Sequence, residues 1–247
     1  MPAQIWAHRG DSSNAPENTL PAFQQAIDAG ADGIELDVQR TSDGVVVVAH
    51  DDTISRVSNG VGEVAKLPLA ELRKYDFSKV KDGFKSTVIP TLEETLRLVE
   101  PSSLQLNVEL KRGRQADEGL APAALALVHS FGMMSRVVFS SFDLPMLEQA
   151  RLLEPDARLG ILFDLRQRAP WDFAKTIRAE AMHGPLARAR LADFIAHCHD
   201  SKLLVRLWTV DAPTAIERTI RGGVDGVITN RPSLALKIRD AITNIVE

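Results

Sequence analysis

The sequence has one cysteine, Cys198. A lone thiol excludes an internal disulfide framework and fits a reducing compartment. No apolar run approaches the roughly 18 residues of a membrane helix, so no span is expected. The N-terminus lacks a basic segment followed by an apolar stretch, so no signal peptide is expected and the expected location is the cytoplasm. Neither sign of charge dominates: 29 Lys and Arg stand against 33 Asp and Glu, a formal net charge of −4. Without a basic tail or stripe, nucleic acid is not an expected partner. No G-x-G-x-x-G follows the first apolar stretch, which argues against a dinucleotide-binding fold.

What is present is ordinary globular composition, 45% apolar and 25% charged over 247 residues. That length suits one or two domains, and α/β barrels reach it as one. Strands are expected at 4–8, 33–38, 45–50, 104–111, 136–141, 158–163, 179–183, 203–209 and 224–229. Most are rich in Val, Ile and Leu without polar alternation, as in a parallel sheet covered on both faces. Helices are expected at 18–29, 117–131, 185–199, 213–221 and 232–245, with another opening at Asp143-Leu144-Pro145. Thr91 and Glu94 form a capping box for a helix reaching about Val99. With 45–50 as an appendage of the second unit, eight strand–helix units remain. The expected fold is therefore a (βα)8 TIM barrel, one domain over 1–247. The polar stretch 52–90, holding at most a short helix at 69–75, reads as an insertion over one end of the barrel.

In such a barrel the C-terminal strand ends build the site. The first strand ends in His8-Arg9-Gly10. Glu35 and Asp37 stand at i, i+2 on the second, so both share one face, with Ile34, Leu36 and Val38 on the other. Glu109 and Lys111 repeat the spacing on the third. The extra strand ends in His50-Asp51-Asp52, the seventh in Arg206, Trp208 and Asp211, the eighth in Thr229-Asn230-Arg231. Three carboxylates in one barrel mouth repel and resist ionisation, which a divalent cation resolves. An all-oxygen set suits Ca²⁺, Mg²⁺ or Mn²⁺. His8 and His50 flank the carboxylates and suit a general acid and a general base. Arg9 and Lys111 add the fixed positive charge that a phosphate-bearing substrate requires. His129, His197, His199 and Cys198 fall in amphipathic helices and read as packing or surface residues. His183, at the end of the sixth strand, keeps both readings open.

These residues resemble the motifs of the glycerophosphodiester phosphodiesterase family. The matching blocks are HRG at 8–10, PENT at 16–19, GIELDVQ followed by SDG and VVVVAHDD within 33–52, VELK at 108–111, LWTVD at 207–211 and GVDGVITNRP at 223–232. They run in the family's order nearly end to end, at the length of the short cytoplasmic bacterial members. The resemblance implies a phospholipase-C-like TIM barrel that hydrolyses a glycerophosphodiester to sn-glycerol 3-phosphate and an alcohol. It implies His8 and His50 as the acid–base pair, with His8 read as base. It implies Glu35, Asp37 and Glu109 as ligands of one divalent cation. Arg9 and Lys111 would contact the phosphate, Glu17 and Asn18 would brace the first loop at the substrate, and Trp208 would line the glycerol side. The expected partner is a small-molecule glycerophosphodiester, and the chain is expected as a monomer or homodimer.

Two positions depart from the family's pattern. Asp211 follows Trp-Thr-Val where Asn is common, and Asn230 stands in Thr-Asn-Arg-Pro where Asp is common. Both bear on contacts at the last two strand ends and on head-group preference. A related reading is a lyase of the same barrel type that stops at a cyclic phosphate, as in lysophospholipid-cleaving relatives. A non-catalytic phosphate-binding barrel is disfavoured because both histidines and all three carboxylates are present. A sugar-phosphate isomerase is disfavoured because Gly222-Gly223 precedes the last strand instead of following it.

Overall fold

A computed structural model describes residues 2–79, 81–114, 117–164, 171–186 and 191–243. Its strands are β1 (Gln4–His8), β2 (Gly33–Arg40), β3 (Val46–Val48), β4 (Gln105–Leu110), β5 (Val137–Ser141), β6 (Arg158–Leu162), β7 (Ala181–Pro185), β8 (Leu204–Trp208) and β9 (Gly226–Thr229). Its helices are α1 (Leu20–Asp28), α2 (Leu69–Leu72), α3 (Leu92–Val99), α4 (Leu120–Ser130), α5 (Leu144–Leu153), α6 (Trp171–Thr176), α7 (Leu191–Asp200), α8 (Pro213–Arg221) and α9 (Pro232–Thr243). Neighbouring strands run β1-β9-β8-β7-β6-β5-β4-β2, and β1 pairs with β2 to close the ring. All of these pairs are parallel. Only β3 runs antiparallel, on the upper end of β2. The expected TIM barrel is thus the observed fold, with 45–50 as its appendage.

Period-two alternation sorts the strand residues. Ile34, Leu36 and Val38 of β2, Leu106 and Val108 of β4, and Val137 and Phe139 of β5 face outward. They pack against Phe23, Leu96 and Leu147 of the surrounding helices. Each such fully buried side chain contributes roughly 2 kcal/mol. Local caps place the helices: Thr19 Oγ1 accepts at the start of α1, Asp143 at the start of α5, and Thr91 with Glu94 forms the expected capping box on α3.

The inward positions are largely polar. Arg206 stacks 4.9 Å over the Trp6 ring and donates from Nη2 to Glu180 Oε1 at 2.9 Å. Arg158 grips the same carboxylate from Nε and Nη2, at 2.7 and 3.0 Å. Arg206 is therefore a floor residue one layer below Trp208, not part of the rim. His183 also differs from expectation. The strand continues to Pro185, which pairs with Trp208, so the histidine is interior rather than terminal. A guanidinium can only donate, so with Arg206 Nη1 at 3.2 Å, His183 Nε2 accepts. Burial and the Arg206 charge hold its pKa well below the ordinary value, so the ring is neutral.

Pro185 consequently opens no helix. It is tolerated at a strand's last positions, and the helix that follows starts at Leu191. Positions 187–190 of the helix expected over 185–199 and the expected tail of α9 at 244–245 lie outside the described residues. α6 had no counterpart among the expected helices, because six residues are too short to show a helical period. The segment 52–90 gathers Ile54, Val64, Leu72, Phe77 and Ile89 around Val47 and Ala49, a small core of its own on β3. Among the described residues, no helix is long and apolar enough to cross a membrane.

Candidate active site

Strand register brings the polar residues to one rim. Across β1 and β2, His8 is level with Glu35; across β2 and β4, Asp37 is level with Glu109. Ligand atoms of Glu35, Asp37 and Glu109 all lie within 4.8 Å of one another, and all three residues are buried. Lys111 Nζ sits 2.7 Å from Glu109 Oε1 and 3.3 Å from Asp37 Oδ1. Asn18 Nδ2 donates to Asp37 Oδ2 at 2.8 Å, and Arg9 Nε lies 3.3 Å from the same oxygen as a charge pair.

The first loop is shaped for this. Arg9 and Asn18 both take left-handed backbone, φ 57° and 56°, and Asn18 N donates to Arg9 O at 3.0 Å. Gly10 follows at φ 82°, where an added Cβ would fall 2.6 Å from the Ala22 carbonyl carbon. Only glycine fits both demands.

The carboxylates differ in charge state. Burial, then the Asp37 and Glu109 charges, push Glu35 well above the usual carboxylate range. Burial and Asp37 raise Glu109 to about 7, against the relief from Lys111. Burial opposes Asp37 too, yet Lys111, Arg9 and His50 hold its pKa well below the usual value. Asp37 Oδ1 is buried and has no hydrogen-bond partner among the described residues. Three buried carboxylates, two of them resisting ionisation and the third with an oxygen that accepts no hydrogen bond beyond its 3.3 Å ion pair to Lys111, form an all-oxygen set that fits a hard divalent cation.

The histidines have contrasting partners. Asp211 can only accept, so Asn230 presents its Nδ2 to Asp211 Oδ2 at 2.6 Å and turns Oδ1 toward His8. That oxygen stands 2.7 Å from His8 Nδ1, so Nδ1 carries the ring proton and Nε2 keeps its lone pair. Nε2 faces the carboxylates, 3.9 Å from Glu35 Oε2. Burial and the Arg9 charge lower the His8 pKa to about 4. His50 Nδ1 instead meets a carboxylate, Asp51 Oδ1, at 2.6 Å. Gln39 Nε2 holds that turn through Ala49 O and Asp51 O, at 3.0 and 2.8 Å.

A cavity of about 340 Å³ opens over these groups, lined by both histidines, Arg9, Glu35, Glu109 and Lys111. Phe142, Leu162, Trp208 and Ile228 supply its apolar lining, with Phe142 and Trp208 edge to face at 5.8 Å. A second cavity of about 240 Å³ shares only Lys111 with it and contains neither histidine.

Most of the expected site residues converge here. Glu17 stands outside the cavity lining and binds Arg9 Nη1 at 2.7 Å. The two departures, Asp211 and Asn230, also stand outside it. They touch each other, and Asn230 in turn touches His8. Sequence reasoning missed three residues. Asn107, which lines the cavity, lies within the expected strand 104–111 with no spacing to mark it, and Gln39 lies one residue past the expected end of 33–38, which β2 extends to Arg40. Arg56 lies in the irregular 52–90 segment, where no periodicity marks it.

The profile of the Glycerophosphoryl diester phosphodiesterase family matches residues 8–234. The chain belongs to this family. It is 36% identical over 239 residues to the glycerophosphodiester phosphodiesterase of Caldanaerobacter subterraneus, covering 96% of this chain and 98% of that one. A glycerophosphodiester phosphodiesterase of Bacillus altitudinis is 35% identical over 240 residues, 96% and 98% covered. Among solved structures, a phosphodiesterase of Oleispira antarctica in complex with the product sn-glycerol-3-phosphate superposes with TM-score 0.90. It is 26% identical and covers 97% of both chains.

Proposed function

We propose that this family member hydrolyses glycerophosphodiesters to sn-glycerol 3-phosphate and an alcohol, as a metal-dependent phosphodiesterase using two histidines. The observation that carries the mechanism is the asymmetry of the imidazoles: His8 is held neutral by an amide, His50 is backed by a carboxylate. The whole chain, with the 52–90 segment as a loop, serves this one site.

Glu35, Asp37 and Glu109 would hold one divalent cation, Mg²⁺, Ca²⁺ or Mn²⁺, which when bound supplies positive charge to the phosphate oxygens. Arg9 and Lys111 bind the anionic diester and neutralise charge that shifts onto those oxygens in the transition state. The lone pair of His8 Nε2 takes a proton from the attacking oxygen. His50, with its Nδ1 paired to Asp51, acts as the general acid that gives a proton to the departing alcohol oxygen. The attacking oxygen is the 2-hydroxyl of the glycerol, which gives a cyclic phosphate. Water then opens that ring with the two roles exchanged, which returns both histidines to their starting states. The apolar lining with Trp208 packs the carbon side of the glycerol.

A coupled sn-glycerol 3-phosphate assay on glycerophosphocholine, glycerophosphoethanolamine and glycerophosphoglycerol tests the reading. Release of sn-glycerol 3-phosphate supports it. Phosphorus NMR showing a cyclic phosphate as the final product would make the protein a lyase, and no turnover of any of the three would refute the assignment.

A further inference from the structure

Arg56 sits in the 52–90 segment, and its hydrogen bonds go to two carboxylates that in turn hold lining groups of the reaction cavity. Its Nη1 donates to Glu17 Oε2 and its Nη2 to Glu17 Oε1, both at 2.7 Å. Its Nε donates to Asp51 Oδ2 at 2.5 Å. Glu17 Oε1 also accepts from Arg9, and Asp51 Oδ1 pairs with His50. An unbroken run Arg9–Glu17–Arg56–Asp51–His50 therefore joins the loop after β1 to the loop after β3 along one stretch of the barrel rim. Only a planar guanidinium offers two parallel donors to one carboxylate and a third, divergent donor to another.

We propose that Arg56 is a positioning residue that fixes Arg9 and His50 relative to each other and shares the charge of the carboxylates that hold them. This rests on reading Arg9 as a phosphate contact and His50 as a proton donor. With Arg56 gone, the Glu17 charge falls on Arg9 alone and weakens its pull on a phosphate. The Asp51 carboxylate likewise loses its second anchor, and His50 its fixed direction. The Arg56 side chain is 44% exposed, so these pairs add little to global stability. Its effect should appear in binding and turnover instead.

The test compares wild type with Arg56→Met and Arg56→Lys, each loaded with a divalent cation. Calorimetric binding of sn-glycerol 3-phosphate should weaken about 10-fold in Arg56→Met and kcat should fall by about 10- to 100-fold, while Tm stays near wild type. Arg56→Lys should recover part of the binding and little of kcat, because lysine restores charge without the fork. Glu17→Gln and Asp51→Asn should be coupled in the wild-type background and additive in Arg56→Met. Wild-type kcat and KM in Arg56→Met, or additivity in both backgrounds, overturns the proposal. Nitrogen NMR of the His50 ring, recorded without substrate, separates this from failure of the enzymatic reading. Resonances that move in Arg56→Met support positioning even if the wild type cleaves no glycerophosphodiester, and resonances that do not move overturn it.

Discussion

Stripping divalent cations and raising the pH puts the carboxylate triad under direct strain. In the cation-free protein Glu109 ionises near pH 7, because burial and the Asp37 charge oppose it, and burial with the Asp37 and Glu109 charges holds Glu35 well above the usual carboxylate range as well. Both groups bind a proton more tightly in the folded chain than in the unfolded one. The stability that Glu109 contributes is therefore full below the ordinary carboxylate pKa of 4.5 and is lost as pH rises through about 7. For Glu109 alone that shift corresponds to roughly 3 kcal/mol, at about 1.4 kcal/mol per pH unit. In a chain of this size it amounts to roughly 6–12 °C in Tm. A bound cation removes the repulsion, and at low pH protons compete with it for the oxygens. Scanning calorimetry at about pH 5 and about pH 8, after chelation and after adding back Mg²⁺, Ca²⁺ or Mn²⁺, reads the effect. The cation should raise Tm by several degrees more at the higher pH, and Glu109→Gln should flatten the dependence. An equal cation shift at both pH values, or none at the higher one, would refute the triad as a cation site.

Three further outcomes are expected. His8→Ala and His50→Ala should each lower kcat by at least about 100-fold with Tm near wild type, and near-normal turnover of either would sink the acid–base pair. Exhaustive chelation should abolish hydrolysis and a divalent cation restore it; full activity after chelation would remove metal dependence. Asn230→Asp would set a carboxylate against His8 Nδ1 and raise its pKa from about 4, moving the acid limb of kcat/KM to higher pH. A limb that stays in place would show that the amide does not set the protonation of His8.

The barrel was legible because its strands are short, doubly covered and rich in Val, Ile and Leu, and because alternation alone places Glu35 with Asp37 and Glu109 with Lys111. Caps such as Thr91 with Glu94 are local chemistry and needed no tertiary context. The misread elements share a cause. Local rules end that strand at His183 and open a helix at Pro185, whereas pairing with β8 carries the strand past His183 to Pro185. Arg206 looked like a rim residue because strand length sets depth, and depth comes only from register across the sheet.

By itself, then, the sequence determined the fold class and which side chains share a face, since both follow from periods of 2.0 and 3.6 along the chain. The tertiary structure alone decided how charge is distributed over those side chains. Closure of the ring sets Asp211 behind Asn230 and Asn230 behind His8, residues more than two hundred positions apart, and so fixes a neutral imidazole. Register between β2 and β4 crowds three carboxylates within 4.8 Å, and the packing of the 52–90 segment lets Arg56 span two loops. Protonation depends on burial and on charges brought near through space, and neither is a property of the chain read in order.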